Sequence, residues 1–262
     1  MNYYSVSHLI GSTDAVELIC SLTGRSVEWV MLNRELDLPP KISEAAELIS
    51  KGTPLQYITG KAYFYGDKYI VSPDVLIPQP DTEHIVEAAL EAVTPGKSLL
   101  DLCTGSGCIA ISILKRTLIK AIAVDISAPA LSIAQKNSEL HKVQHRIKFI
   151  QKNVLTEDIS EFIANADVIT SNPPYINTSD IDSLPLDVQN EPHTALDGGE
   201  DGMDFYRRFI AMTDNMKKSA VMILEIGYDQ ADRIKALAAE YKLNIEIRRD
   251  FGGNDRVAII NK

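Results

Sequence analysis

Two rhythms of apolar and polar positions divide this chain. Over the first 60 residues apolar side chains recur at helical spacing. Asp14-Ala15-Val16-Glu17-Leu18-Ile19-Cys20, following Ser12-Thr13, predicts a capped helix ending near Gly24. Ser26 to Leu32 predicts a second, stopped before Pro39-Pro40, and Ile42 to Ile49 a third, ending at Gly52. Together they predict a small helical bundle over residues 1–60, with Trp29, the only tryptophan, in its core. Tyr63 to Val71 holds two aromatic, β-favouring runs around a Gly66-Asp67 turn, so residues 61–75 are expected to form a hairpin linker. Leu76-Ile77-Pro78-Gln79-Pro80-Asp81 then leads into a helix reaching about Val93, with Asp81 as its N-cap.

From Lys97 short apolar runs alternate with amphipathic stretches. Strands are expected at Ser98–Leu102, Ala121–Val124 (closing on Asp125), Ile147–Ile150, residues 166–171 and Val221–Ile226. Helices are expected at Cys108–Arg116, Ser127–Leu140, Asp204–Met216 and Asp229–Glu240. Two further strands, near 243–249 and 256–260, flank the turn Gly252-Gly253-Asn254-Asp255, so the last strand should run antiparallel. The fold class this pattern implies is α/β: a doubly wound, mostly parallel seven-stranded sheet over residues 76–262.

Charge narrows the range of partners. Acidic residues number 36 and basic residues 26, a net charge of −10, which argues against a broad nucleic-acid or anionic-membrane footprint. No Lys or Arg precedes Arg25 and no apolar run approaches a membrane span, so a cytoplasmic protein without a signal peptide is expected. Cys20, Cys103 and Cys108 form neither a disulfide framework nor a zinc spacing, and no metal is expected. The five histidines fall singly.

The chemistry gathers at two loops. Asn172-Pro173-Pro174-Tyr175 follows the fourth predicted strand, where open α/β sheets place ligands. Asn172 carries an acceptor and a donor side by side, suited to a planar amide or amino group. Pro173 and Pro174 stiffen the loop and present carbonyls without competing N–H donors. Tyr175 offers a flat face. Taken alone, the string also suits a plain Pro-Pro turn. The other loop is Asp101-Leu102-Cys103-Thr104-Gly105-Ser106-Gly107, between the first strand of the sheet and a helix whose N-terminal N–H groups are free. Asp125, at the end of the next strand, is placed to accept both hydroxyls of a ribose. The spacing Gly105-x-Gly107-x-x-Ala110 also satisfies a dinucleotide fingerprint, so a nicotinamide-dependent oxidoreductase competes with a nucleoside-sulfonium reading. Asp101 and Thr104 favour the latter, because an acid near the loop suits a cation better than a pyrophosphate.

Further stretches are more specific: Pro54-Leu55-Gln56-Tyr57-Ile58-Thr59-Gly60, Leu76 to Glu83, Asn190-Glu191-Pro192-His193-Thr194-Ala195-Leu196, Gly199-Glu200-Asp201-Gly202, and Asp250-Phe251-Gly252-Gly253-Asn254-Asp255-Arg256. With the two loops, they resemble the protein-(glutamine-N5) methyltransferases that modify peptide-chain release factors, the PrmC/HemK family of class I S-adenosylmethionine-dependent methyltransferases. The resemblance spans nearly the whole chain and implies transfer of a methyl group to a glutamine side-chain amide. By matching position it implies that Cys103, Thr104, Gly105, Ser106 and Gly107 surround the methionine part of S-adenosylmethionine. Asp125 would hold its ribose, and Asn153 and Val154 would flank its adenine. Asn172, next to the cofactor, and Pro173, Pro174 and Tyr175 would hold the glutamine, with Asn172, Pro173 and Tyr175 taking part in catalysis. The helical bundle would recognise the release factor, and the enzyme would act as a monomer. Two positions depart from the family: Cys103 where glycine is common, and Gln79 where arginine is usual.

Two neighbouring activities stay open at this point: glutamine methylation of a ribosomal protein, and adenine-N6 methylation of nucleic acid by the same clamp. Between Tyr175 and Arg207 there is no Lys or Arg, while Asp180, Asp182, Asp187, Glu191, Asp197, Glu200, Asp201 and Asp204 lie there. A polynucleotide beside that loop would meet repulsion, so no stable nucleic-acid partner is expected.

Overall fold

A computed structural model describes all residues, Met1–Lys262. Five helices open the chain: α1 (Tyr3–Ile10), α2 (Ser12–Thr23), α3 (Val27–Leu32), α4 (Pro40–Ser50) and α5 (Leu55–Thr59). They enclose a core of their own that includes Val6, Leu18, Ile19, Val30, Ile42 and Ala46. Trp29 packs against this core, half-buried, with Arg25 stacked 4.9 Å from its ring. The sequence pattern missed α1, which Asn2 caps through its side chain. It also misplaced the start of α2. Gly11 breaks the chain between the helices, so Ser12 and Thr13 sit inside the first turn instead of capping it.

The hairpin is β1 (Lys61–Phe64) and β2 (Asp67–Ile70), paired antiparallel. Its turn is Tyr65-Gly66, both at positive φ, and not Gly66-Asp67. Two residues with φ > 0 match the twist of a tight hairpin, and Asp67 is thereby drawn into β2. After a single 3-10 turn at Pro80–Thr82 comes α6 (Glu83–Ala92). Proline stands at the start of that turn, two residues earlier than expected, so Gln79 takes the cap position and Asp81 caps nothing. Its carboxylate instead pairs with Arg256 at 3.2 Å.

The α/β part runs β3 (Ser98–Leu102), α7 (Cys108–Arg116), β4 (Lys120–Asp125), α8 (Ala128–Leu140), β5 (Ile147–Gln151), α9 (Ser160–Asn165), β6 (Val168–Ser171), α10 (Leu186–Gln189), α11 (Asp204–Ala211), β7 (Val221–Glu225), α12 (Ala231–Glu240), β8 (Asn244–Arg249) and β9 (Asp255–Asn261). The sheet order is β5-β4-β3-β6-β7-β9-β8, with β3 to β7 parallel to one another and β9 antiparallel to both its neighbours, β7 and β8. This is the expected doubly wound sheet. Alternate residues of each strand point to opposite faces. Leu99 accordingly joins the core under α6 and α7, while Leu100 joins the core under α9, α11 and α12. The chain winds outward from β3 to β5, then returns to lay β6 against β3. The loops after β3 and β6 part there, which opens a crevice at the carboxyl ends of the strands.

Candidate active site

A cavity of about 280 Å³ fills this crevice. Its walls come from the loops after β3, β4, β5 and β6, the strap 74–79, and the segment 192–197.

The β3 loop is fixed from beneath. Asp101 is fully buried and accepts hydrogen bonds from Thr104 Oγ1 (2.5 Å) and Thr170 Oγ1 (2.7 Å). Burial pushes its carboxyl up to about 6, opposed by those two hydroxyls. Cys103 turns the loop at φ +55°, a left-handed conformation that glycine adopts without strain. The position where glycine is common in the family thus does take a positive φ, with Cys103 in it. Burial pushes the Cys103 thiol far up, so it is no thiolate nucleophile. Gly107 has a different task from Gly105. A Cβ on Gly107 would meet Ile111 Cδ1 at 2.9 Å and Ala134 Cβ at 3.2 Å, so its small size seats α7 against α8.

Asp125 ends β4. One carboxylate oxygen accepts from the Gly105 N–H (2.8 Å), the other from the Ser127 N–H (2.9 Å). Burial raises its carboxyl, and these backbone donors oppose the rise. After β5, Asn153 Oδ1 accepts from the Leu155 N–H at 2.9 Å, closing a turn that buries Val154 against the sheet.

After β6, Ser171 Oγ donates to the Leu102 carbonyl at 2.8 Å, tying the two crevice strands together. Asn172 follows. Its Nδ2 donates to Thr82 Oγ1 (3.0 Å), and Thr82 Oγ1 donates to Glu225 Oε2 (2.6 Å). The Tyr175 hydroxyl donates to Glu225 Oε1 at 3.4 Å. Burial pushes Glu225 up to about 7, against the pull of the Thr82 hydrogen bond and of Arg256. The back of the loop is sewn to residues 196–199. Ile176 N–H donates to Leu196 O (3.0 Å), and Gly198 N–H to Ile176 O (2.8 Å). A Cβ on Gly198 would lie 2.7 Å from the Tyr175 Cα, so only glycine allows that approach.

Of the residues picked out from sequence, Cys103, Thr104, Gly105, Ser106, Asp125, Asn153, Val154, Asn172 and Pro174 all line the cavity. Gly107, Pro173 and Tyr175 do not. Gly107 caps α7, Pro173 is buried, and the half-buried Tyr175 packs against the core beneath α11 and α12. Gln79 lies on the wall at the rim. Glu191, counted above among the charges that repel a polynucleotide, is buried. It accepts from the Ile77 N–H at 2.7 Å and faces the Tyr57 hydroxyl at 3.4 Å, and burial pushes it up to about 7. Asp201 and Asp204 are paired with Arg207, and Asp201 with Arg233 also. Thr82, Glu225, His193 and Phe205 were missed as site residues. Only the motifs that contain Thr82 and His193 drew attention to either of them. No group of His, Cys, Asp or Glu could hold a metal ion, and no helix is long and apolar enough to cross a membrane.

Comparison with known proteins places this geometry. The profile of the ribosomal protein L11 methyltransferase family (PrmA) matches residues 80–179, from the turn before α6 to just past the Asn172 loop. The ribosomal protein L11 methylase of Lactobacillus delbrueckii shares the fold at a TM-score of 0.52 and 18% identity, over 77% of this chain and 89% of that one. Similarity in sequence is much closer elsewhere. The release factor glutamine methyltransferase of Thermodesulfovibrio yellowstonii is 37% identical over 264 residues, covering 95% of this chain and 92% of its own. That of Clostridium acetobutylicum is 40% identical over 241 residues, covering 88% and 84%. The chain belongs to the release factor glutamine methyltransferases.

Proposed function

We propose that this enzyme moves the methyl group of S-adenosylmethionine to the side-chain amide nitrogen of a glutamine in a peptide-chain release factor. One observation carries the reading. Leu102 and Ser171 are register partners on adjacent parallel strands, so Cys103 and Asn172, one residue further on, face the same cavity.

The residues present fit the cofactor. The Asp125 carboxylate uses one lone pair per oxygen on the backbone, which leaves others for two ribose hydroxyls. Nothing lies within 4 Å of where a Gly105 Cβ would stand, so a ligand can rest on that backbone. Val154 and Ile126 give apolar surface for a purine. When bound, S-adenosylmethionine supplies a sulfonium methyl as the electrophile.

The protein's own task is to make an amide nitrogen react. Its lone pair is delocalised into the carbonyl, so it is a weak nucleophile. Holding it in line with the methyl supplies several kcal/mol. Positive charge develops on that nitrogen as its bond to carbon forms. The side-chain oxygen of Asn172, which lines the cavity, accepts an N–H of that nitrogen and stabilises the charge. No general base is required, because the product proton leaves from a cationic nitrogen of low pKa.

The exposed acids Asp180, Asp182, Asp187 and Glu200 flank the clamp and favour a protein over a polynucleotide. The helical bundle, tied to the catalytic part where Asn190 Nδ2 donates to Gly52 O at 3.0 Å, serves as the docking unit for that protein. The test incubates the enzyme and S-adenosylmethionine with purified release factors, ribosomal proteins, free glutamine and DNA, then applies mass spectrometry. One methyl on a release-factor glutamine is expected. A methyl on ribosomal protein or DNA instead would replace the reading with one of its rivals.

A further inference from the structure

We infer that Thr82 and Glu225 are positioning residues that decide which way round the Asn172 amide faces the cavity. The inference rests on the reading of Asn172 as the clamp for the target amide.

An asparagine side chain fits its place in two orientations of nearly the same shape, which exchange Oδ1 and Nδ2. Only one of them offers an acceptor to a substrate N–H. Thr82 Oγ1 stands between Asn172 Nδ2 (3.0 Å) and Glu225 Oε2 (2.6 Å), and Thr82 and Glu225 are each only 2% exposed. A threonine hydroxyl has one proton, and an ionised carboxylate can only accept. The proton of Thr82 therefore goes to Glu225. The hydroxyl can meet Asn172 only with a lone pair, so Asn172 must turn its NH2 to Thr82 and its oxygen away. The order runs from Glu225 through Thr82 to Asn172, and each step removes one freedom from the next.

The far end of this relay is itself held. The Tyr206 hydroxyl donates to the Glu225 carbonyl at 2.9 Å, and the Thr82 N–H to Gln79 O at 3.1 Å. The groups around the Glu225 carboxyl are Thr82 and Asp81 from the turn before α6, Cys108 from α7, Tyr175 from the clamp, Tyr206 from α11 and Arg256 from β9. Arg256 is the only cation among them, and it pairs with Asp81 and Asp250. If Glu225 gains a proton, it donates to Thr82, Thr82 can donate onward, and the Asn172 oxygen is drawn away from the cavity. The carboxyl titrates near pH 7, so the clamp should lose its order on mild acidification.

The test measures kcat, KM and S-adenosylhomocysteine affinity for full-length variants with purified release factor as substrate. Thr82→Val keeps the shape and removes the hydroxyl. It should lower kcat about tenfold to hundredfold while cofactor affinity holds. Thr82→Ser restores the hydroxyl and should return kcat to within about threefold of wild type. Wild-type kcat should fall through one protonation step near pH 7, and Glu225→Gln should abolish that step, a readout that does not require Thr82→Val to fold. Two results would each overturn the relay: wild-type kcat in Thr82→Val alongside an inactive Asn172→Ala, or an unchanged acid limb in Glu225→Gln. Normal turnover by Asn172→Ala is a separate failure, because it would remove the clamp itself.

Discussion

The two walls of the cavity are held by contacts of very different range. On the cofactor side, Asp101 holds Thr104 three residues away, and Asp125 holds Gly105 twenty residues away. On the clamp side, Asn172 leans on Thr82 across 90 residues, and Thr82 on Glu225 across 143. The cofactor wall is built mainly from one strand-loop-helix unit and its neighbour, with the Thr170 hydroxyl of β6 as a distant tie to Asp101. The clamp is assembled from the turn before α6, the end of β6, the end of β7 and the start of β9. A wall of the first kind should fail locally when a residue is changed. A wall of the second kind should respond to changes far along the chain.

The sharpest way to break this contrast is Arg256→Met. Arg256 is largely buried and joins Asp81 to Asp250. Its loss leaves Asp250 and the half-exposed Asp81 without their cation and should lower stability. Calorimetry reads this as a lower Tm, and an unchanged Tm would mean that the clamp side does not depend on its distant tie.

Asp125→Ala tests the opposite wall. It should weaken S-adenosylhomocysteine binding about tenfold to hundredfold by titration calorimetry, about 1.4–2.8 kcal/mol. The Asn172 side should be spared, so kcat at saturating cofactor should stay within about threefold of wild type. A large loss of kcat would show the two walls to be one unit.

A smaller effect, of known sign, comes from Glu191, a clasp that reaches Ile77 across 114 residues. Burial pushes its carboxyl to about 7, above the value near 4.3 of an unfolded chain. The folded state thus holds its proton more tightly. The stability that Glu191 contributes is fully present below about pH 4 and is lost as pH climbs through 7. Glu191→Gln cannot ionise. It should be more stable than wild type at pH 8 by about 1–2 kcal/mol, and equal to it near pH 4. Tm measured against pH gives the answer, and a difference that does not vary with pH would exclude ionisation as its source.

The smallest change expected is at Cys103. Its left-handed backbone costs on the order of 1 kcal/mol, partly offset in glycine by greater freedom of the unfolded chain. Cys103→Gly should therefore gain about 0.5–1 kcal/mol in a denaturant melt. A loss would show that the Cys103 side chain stabilises the loop more than its backbone strains it.

The same difference of range explains what the sequence disclosed. The strands β3 to β7 are short apolar runs ended by Gly, Asn or Asp, so their places could be read from neighbours alone. The two loops could be located for the same reason, since Asp101 to Gly107 and Asn172 to Tyr175 stand out within a few letters, but Gly107, Pro173 and Tyr175 lie off the cavity, which those letters do not reveal. Helix α5, only five residues long, offers too few turns for a period to emerge. The hairpin turn was misread because Gly66 favours positive φ, while nothing local marks Tyr65 as its partner. Asp81 has the composition of a cap, and only the distant Arg256 reveals its use. Thr82 and Glu225 each look ordinary in their own segment. Their roles exist only once β7 and the turn before α6 meet at the crevice, a juxtaposition that no periodicity encodes.

The central claim is that the Asn172 oxygen stabilises the charge that develops on the target nitrogen. A single-turnover methyl-transfer assay of Asn172→Ala, with release factor and S-adenosylmethionine both saturating, tests it most directly. The rate constant should fall about a hundredfold or more while the cofactor dissociation constant stays within about twofold. A rate within twofold of wild type would contradict the claim.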